Sequence, residues 1–75
     1  MNLAELESGA AAMITGLDET HPNVNRLADL GLIPGHQVTL IRRAPLGDPL
    51  QVKVLNHELC LRTADARSVL VSSSN

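Results

Sequence analysis

Between Gln37 and Arg62 the chain alternates apolar and polar positions in three successive runs. Val38 and Leu40 alternate with Gln37, Thr39 and Ile41. Leu50, Val52 and Val54 alternate with Gln51, Lys53 and Leu55, and Leu59 and Leu61 alternate with Glu58, Cys60 and Arg62. A period of two sends successive side chains to opposite faces, so the pattern predicts three half-buried strands. Asn56 and His57 read as the tight connection between the second and third of them. Upstream, the apolar segment from Ala10 to Leu17, bounded by Gly9 and Asp18, predicts a first strand with Ala12 and Ile14 inward. Downstream, a short helical turn at Ala64–Arg67 and a last strand at Val69–Val71 complete the chain, and Ser72 to Asn75 are expected to fray.

The period lengthens to between three and four in the stretch THPNVNRLADLGLIPG, residues 20–35. Val24, Leu27, Ala28 and Leu30 form one stripe of a short helix, with the Asn23 side chain as its expected N-cap. Gly31 sits where the chain turns left-handed, and Leu32 is expected to fold back on Leu27 in the hydrophobic contact of such a cap. Pro34 and Gly35 carry the signature of a type II turn. Ile41, Leu55, Cys60 and Leu70 fall on the nominally outer parity. They either lie under the helix and where bent strands close, or form an exposed apolar patch that marks a partner or weak self-association.

One helix and about five short strands in 75 residues predict a mainly β fold, a small barrel with the helix inserted before the second strand. A flat sheet would need a second layer that so short a chain cannot supply. The whole of 1–75 is read as one domain, since below about 80 residues a single core contributes only ~3–5 kcal/mol of net stability. With no Phe, Tyr or Trp, that core is built from Leu, Val, Ile, Ala and Met.

The missing aromatics and the net charge of −2 also count against nucleic acid as a partner. Single strands are stacked on aromatic rings and duplexes need a basic face. The charge is uneven. Up to Ile41, Arg26 alone faces Glu5, Glu7, Asp18, Glu19 and Asp29, a net of −4; from Arg42 onward the net is +2. A sheet surface built from the second half would prefer an acidic partner. The single cysteine, Cys60, permits no intrachain disulfide and suits a reducing compartment. The acidic start and the lack of a long apolar run predict a cytoplasmic protein.

His21, His36, His57 and Cys60 are the candidate ligands for a transition metal. His57 and Cys60, three apart on one strand, point to opposite faces, and the other two lie in separate turns; neither a metal site nor a cofactor is expected. No serine or cysteine has a base at a suggestive spacing, and the phosphate-cradling glycine patterns are missing, so catalysis is not expected either.

The stretch APLGDPL, residues 44–50, is longer than a hairpin requires. Pro45 and Gly47 match a type I turn, and Pro49 restricts Asp48 to extended conformations. Leu46 at its tip either folds over the barrel mouth or is displayed, with Gly47 and Asp48, as an ordered contact that has little entropy left to lose on binding.

The runs RLADLGLIPG, VTLIRRAPLGDPLQVKV and LCLRTADARSVLV together resemble the FeoA family, small cytoplasmic proteins of bacterial ferrous iron uptake. The likeness covers roughly residues 11–71 in the same order, including the pair Leu61 and Arg62. The resemblance implies an SH3-like barrel and association with the cytoplasmic part of FeoB, the ferrous iron transporter. Carried over by position, the structural turn residues are Gly31, Pro34, Gly35, Pro45, Gly47 and Pro49, and the helix leucines are Leu27 and Leu30. The expected partner surface is Leu30, Leu32, Leu46, Gly47, Asp48 and Arg62. The alternative is a metal-sensing barrel related to the domain that ends iron-dependent repressors of the DtxR type.

Overall fold

A computed structural model describes residues 1–72. Its elements are a 3-10 turn at Leu3–Glu5, β1 (Ala11–Leu17), α1 (Val24–Asp29), β2 (Gln37–Arg43), β3 (Leu50–Val54), β4 (His57–Leu61), α2 (Thr63–Ala66) and β5 (Val69–Val71). All pairings are antiparallel, in the order β4-β3-β2-β1-β5. β1 is shared between two partners: Ala11 to Met13 pair with β2, and Ile14 to Leu17 pair with β5 across a bulge at Thr15. Such a bulge bends the strand and raises its twist, which curls a five-stranded sheet into the expected SH3-like barrel.

Alternation selects the core as predicted. Ala12, Ile14, Val38, Leu40, Leu50, Val52, Val54 and Leu61 are buried from the strands, Leu59 is half-buried, and Val69 and Val71 close the wall from β5. Leu27 is the one buried residue of α1. Leu3 and Leu6 also enter the core, from a segment without apolar periodicity.

A second bulge explains the off-parity residues of β2. Leu40 pairs with Val52 and Arg42 with Gln51, so Ile41 is the extra residue, and Arg43 then pairs with the inward-facing Leu50. The shift of one position turns Arg43 toward the barrel's end. Its Nη2 donates to the carbonyls of Ala4 and Leu6, at 2.6 Å each. One guanidinium thus pins the 3-10 turn whose leucines plug the barrel.

The end of α1 is a full Schellman motif. The Leu32 amide donates to the Leu27 carbonyl at 3.1 Å and the Gly31 amide to Ala28 at 3.0 Å, with Gly31 at φ +100°. The Ile33–His36 turn is closed by the His36 amide on the Ile33 carbonyl, with Gly35 at φ +94°. Two further bonds, Gly35 to the Ile14 carbonyl and Ile14 to the His36 carbonyl, tie this turn to β1.

Four local expectations change. Asn23 makes no side-chain cap, because its backbone (φ −100°, ψ 16°) is not in the extended capping conformation; its side chain points to Asp65 instead. The β3–β4 connection is Leu55–Asn56, since His57 already pairs with Val54. Leu55 accepts φ +55° there and packs against Gly31. The second helical turn begins one residue early, at Thr63. Of the expected frayed tail, Ser72 donates its amide to the Met13 carbonyl at 2.9 Å, and 73–75 lie outside the described residues. The remaining off-parity side chains divide: Ile41 is half-buried, Leu55 and Leu70 are 55% and 41% exposed, and Cys60 is exposed.

Candidate docking surface

The stretch 44–50 is an ordered projection. The Gly47 amide donates to the Ala44 carbonyl at 2.7 Å and the Ala44 amide to the Pro49 carbonyl at 3.0 Å, so the loop is closed twice over. Gly47 takes φ +91°, a conformation cheap only for glycine, and the Asp48–Pro49 peptide is cis. Leu46 is 97% exposed. Of its two alternatives the structure adopts display.

Asp48 anchors the loop. Its Oδ1 accepts from the Thr63 amide at 2.6 Å and from Thr63 Oγ1 at 2.9 Å, while Oγ1 also lies 3.2 Å from the Gly47 carbonyl. These bonds hold the Asp48 carboxyl below its ordinary range, since they favour the charged form. They also satisfy an amide in the first turn of α2 that no helical carbonyl can reach.

From α2 the network continues to α1. His21 Nε2 lies 2.7 Å from Asp65 Oδ1, and Asn23 Nδ2 donates to the same oxygen at 3.1 Å. A carboxylate only accepts, so Nε2 carries the proton. The two bonds, led by that from His21, lower the Asp65 pKa. A polar chain therefore runs from the Leu46 loop through Thr63 and Asp65 to the entry of α1.

Between α1 and β4 lies an open cleft of about 580 Å³, lined by Arg26, Leu27, Leu30, Cys60, Leu61 and Arg62 together with the His21–Asp65 pair. A smaller depression of about 180 Å³ runs from Arg42 and Pro45 to Cys60. The expected partner residues thus fall on two neighbouring surfaces that meet at Cys60. Leu46 and Gly47 belong to the loop; Leu30, half-buried, and Arg62, exposed, belong to the cleft. Leu32 does not reach a surface. The Schellman turn directs it into the core, where it is 0% exposed, so it supports α1 from beneath. Asp48 is exposed, but one of its oxygens is committed to Thr63. Thr63 and Asp65 were not anticipated, and His21, a candidate metal ligand by residue type, instead meets Asp65, which stands 44 positions away with no local pattern joining them.

The candidate metal ligands do not converge. His36 Nδ1 lies 2.8 Å from the Gly31 carbonyl, and His57 is exposed at the hairpin. Among the described residues no three His, Cys, Asp or Glu side chains are placed to hold an ion. No described helix is long and apolar enough to cross a membrane.

Residues 1–73 match the profile of the FeoA domain. The chain belongs to the FeoA family. A FeoA protein of Chlorobium tepidum shares 37% of its residues; the match covers 100% of this chain and 71% of that one, with a TM-score of 0.88. A zinc-complexed FeoA of Stenotrophomonas maltophilia, described as an SH3 domain protein, is 32% identical over 96% of this chain and 89% of its own, with a TM-score of 0.85. A Porphyromonas gingivalis protein that fuses Fe(2+) transport protein A to the Fe(2+) transporter FeoB is 31% identical over 100% of this chain. The chain spans 9% of that curated relative's length. A manganese-dependent transcriptional repressor shares the fold, with a TM-score of 0.85 at 15% identity; this FeoA chain and the repressor are alike in architecture.

Proposed function

We propose that this FeoA chain is a non-enzymatic accessory protein of ferrous iron uptake that binds the cytoplasmic part of the FeoB transporter. The single observation that carries the reading is Leu46, a large apolar side chain displayed at 97% exposure on a loop closed by its own hydrogen bonds and pinned to α2. Such a side chain gains by burial, and its backbone loses little freedom on docking. Gly47 shapes that contact, Asp48 supports it from behind, and Leu30 and Arg62 extend it into the cleft, with the buried Leu32 holding α1 from beneath. The fusion of the two components in the Porphyromonas gingivalis relative supports FeoB as the partner. The Stenotrophomonas maltophilia protein, described as a candidate ferrous iron transport activating factor, supports an accessory role.

The test replaces Leu46 with aspartate. Circular dichroism should report an unchanged fold, and capture of the transporter's cytoplasmic region by the variant should fall. Undiminished capture by a folded variant removes the loop from the interface.

A further inference from the structure

We propose that the cleft between α1 and β4 receives an extended, acidic segment of a partner protein as an added strand on β4, with the segment's carboxylates meeting Arg26 and Arg62. The inference rests on the reading of this chain as a docking protein and supplies the chemistry of one contact.

The hydrogen-bond register leaves the outer edge of β4 open. β4 stands at the end of the strand order, and its five residues pair with β3 alone. The two-residue connection Leu55–Asn56 makes Val54 and His57 a hydrogen-bonded pair. In an antiparallel ladder such pairs recur at every second residue, so Val52–Leu59 and Leu50–Leu61 are hydrogen-bonded too. The same alternation reappears two strands away, where Leu40 exchanges bonds with Gly9 and Ala10 on the side facing β1. It follows that the N–H and C=O groups of Glu58 and Cys60 point away from β3. Among the described residues they have no backbone partner. Native edges are commonly blunted by proline, a bulge or a covering element. β4 carries neither proline nor bulge, and beside its Cys60–Arg62 end α1 stands off by the width of the cleft.

The cleft's chemistry selects what such a strand would carry. Leu27, Leu30 and Leu61 give aliphatic surface for alternate side chains. Arg26 and Arg62 give positive charge, and neither makes an ion pair among the described residues, where His21–Asp65 is the one such contact. The carboxylates nearest Arg62, on Asp48 and Asp65, already accept hydrogen bonds from Thr63 and from His21 and Asn23. The protein as a whole is acidic, so two guanidiniums against the single lining carboxylate of Asp65 mark a local reversal of sign. Strand addition takes affinity from main-chain bonds and specificity from alternate side chains, which here favours glutamate or aspartate over neutral or basic residues.

The probe is a short peptide alternating valine and glutamate, titrated into the isotope-labelled full chain while amide shifts and hydrogen exchange are followed. Peptides with glutamine or lysine in place of glutamate, and the glutamate peptide N-methylated at alternate residues, serve as comparisons. The expected result is perturbation and slowed exchange at the Glu58 and Cys60 amides, with affinity falling from glutamate to glutamine to lysine and lost on N-methylation. Arg26→Gln and Arg62→Gln should each weaken the acidic peptide about threefold to fivefold. Cys60→Pro removes an outward N–H while leaving the β3 ladder intact, and should abolish binding. Should that variant misfold, the N-methylated peptide tests the same bond on the native protein.

Equal affinity for the three peptides, indifference to methylation, perturbation confined elsewhere, or no binding of the acidic peptide overturns the proposal. So does a β4-to-β4 dimer that excludes the peptide. If the peptide fails while transporter capture still depends on Leu46, the cleft inference falls and the accessory reading stands. If the peptide binds and the transporter is not captured, the accessory reading falls and the cleft remains an acidic-strand site.

Discussion

Gly31→Ala tests how the end of α1 is built. The position demands glycine on two independent counts. Its φ of +100° lies in the left-handed half of the map, where a Cβ costs about 1–2 kcal/mol. A Cβ built there would also lie 3.0 Å from Leu55 Cδ1, with Leu55 Cγ at 3.6 Å and Val54 Cγ1 at 3.9 Å. Cδ1 is the tip of a side chain that is 55% exposed, so it can swing away, at roughly 0.5–1.5 kcal/mol for the displaced rotamer. The expected total is about 2–3 kcal/mol, a large part of the ~3–5 kcal/mol available to a fold of this size. The chain has no tryptophan or tyrosine, so urea unfolding is followed by far-ultraviolet circular dichroism. Leu55→Ala separates the two contributions: in its background Gly31→Ala should cost only the backbone share, about 1–2 kcal/mol. Should the glycine substitution cost less than about 0.5 kcal/mol, or more in the Leu55→Ala background than in the native one, the account of this turn is refuted.

Further predictions concern the barrel's end and the loop. Leu3→Ala should destabilise by about 2–5 kcal/mol in equilibrium unfolding, as expected of a fully buried leucine and not of a loose N-terminal residue. Arg43→Met should cost about 1–3 kcal/mol and speed amide exchange at Glu5 and Leu6, since the carbonyls of Ala4 and Leu6 lose their charged donor. Asp48 and Asp65 have folded pKa values below the ordinary 3.8. Their contribution is therefore complete above that value and is lost as pH falls through the lower folded values. The step that Asp48 protonation produces at the Thr63 and Gly47 amides should fall below 3.8, the ordinary value, and a carboxylate step above that value, read from the Asp48 side-chain carbon shift, would contradict the assignment.

The strands and the turns were legible because their determinants are local. Alternation picked out the inward faces of β2, β3 and β4, and glycine with proline marked both ends of the Leu32–Gly35 connection. The family likeness supplied the SH3-like architecture, which alternation alone left as a small barrel. What escaped depends on distant partners. Leu3 and Leu6 show no periodicity, and their segment is held by long-range bonds from Val71 to Met1 and from Arg43, which reaches inward only because the bulge at Ile41 shifts the register by one. Asn23 fits a cap by residue type, yet its backbone is not in the extended capping conformation, and its Nδ2 donates to a carboxylate of α2 instead. Leu32 was anticipated both as the partner of Leu27 in the helix cap and as part of the partner surface; the cap contact holds and buries it, so the surface role does not. On the candidate surface, the rigid loop could be anticipated from two prolines and a glycine, whereas the choice between a folded-over and a displayed Leu46 was left open by the sequence. The clasp through Thr63, Asp65 and His21 could not, because each bond joins residues that only the closed barrel brings near.

That clasp has a consequence for recognition. Loop 44–50 and the entry of α1 are held to one short helix by four side-chain bonds, two to Asp48 and two to Asp65, so their spacing is set before any encounter. Under the proposed docking role, a partner that lands on Leu46 would find the second foothold already in position, and the later contact would form at a high effective concentration without a new search. Cutting the clasp at its α1 end with Asp65→Ala, which removes the bonds from His21 and Asn23, would leave each foothold able to bind while the advantage of using both together declined.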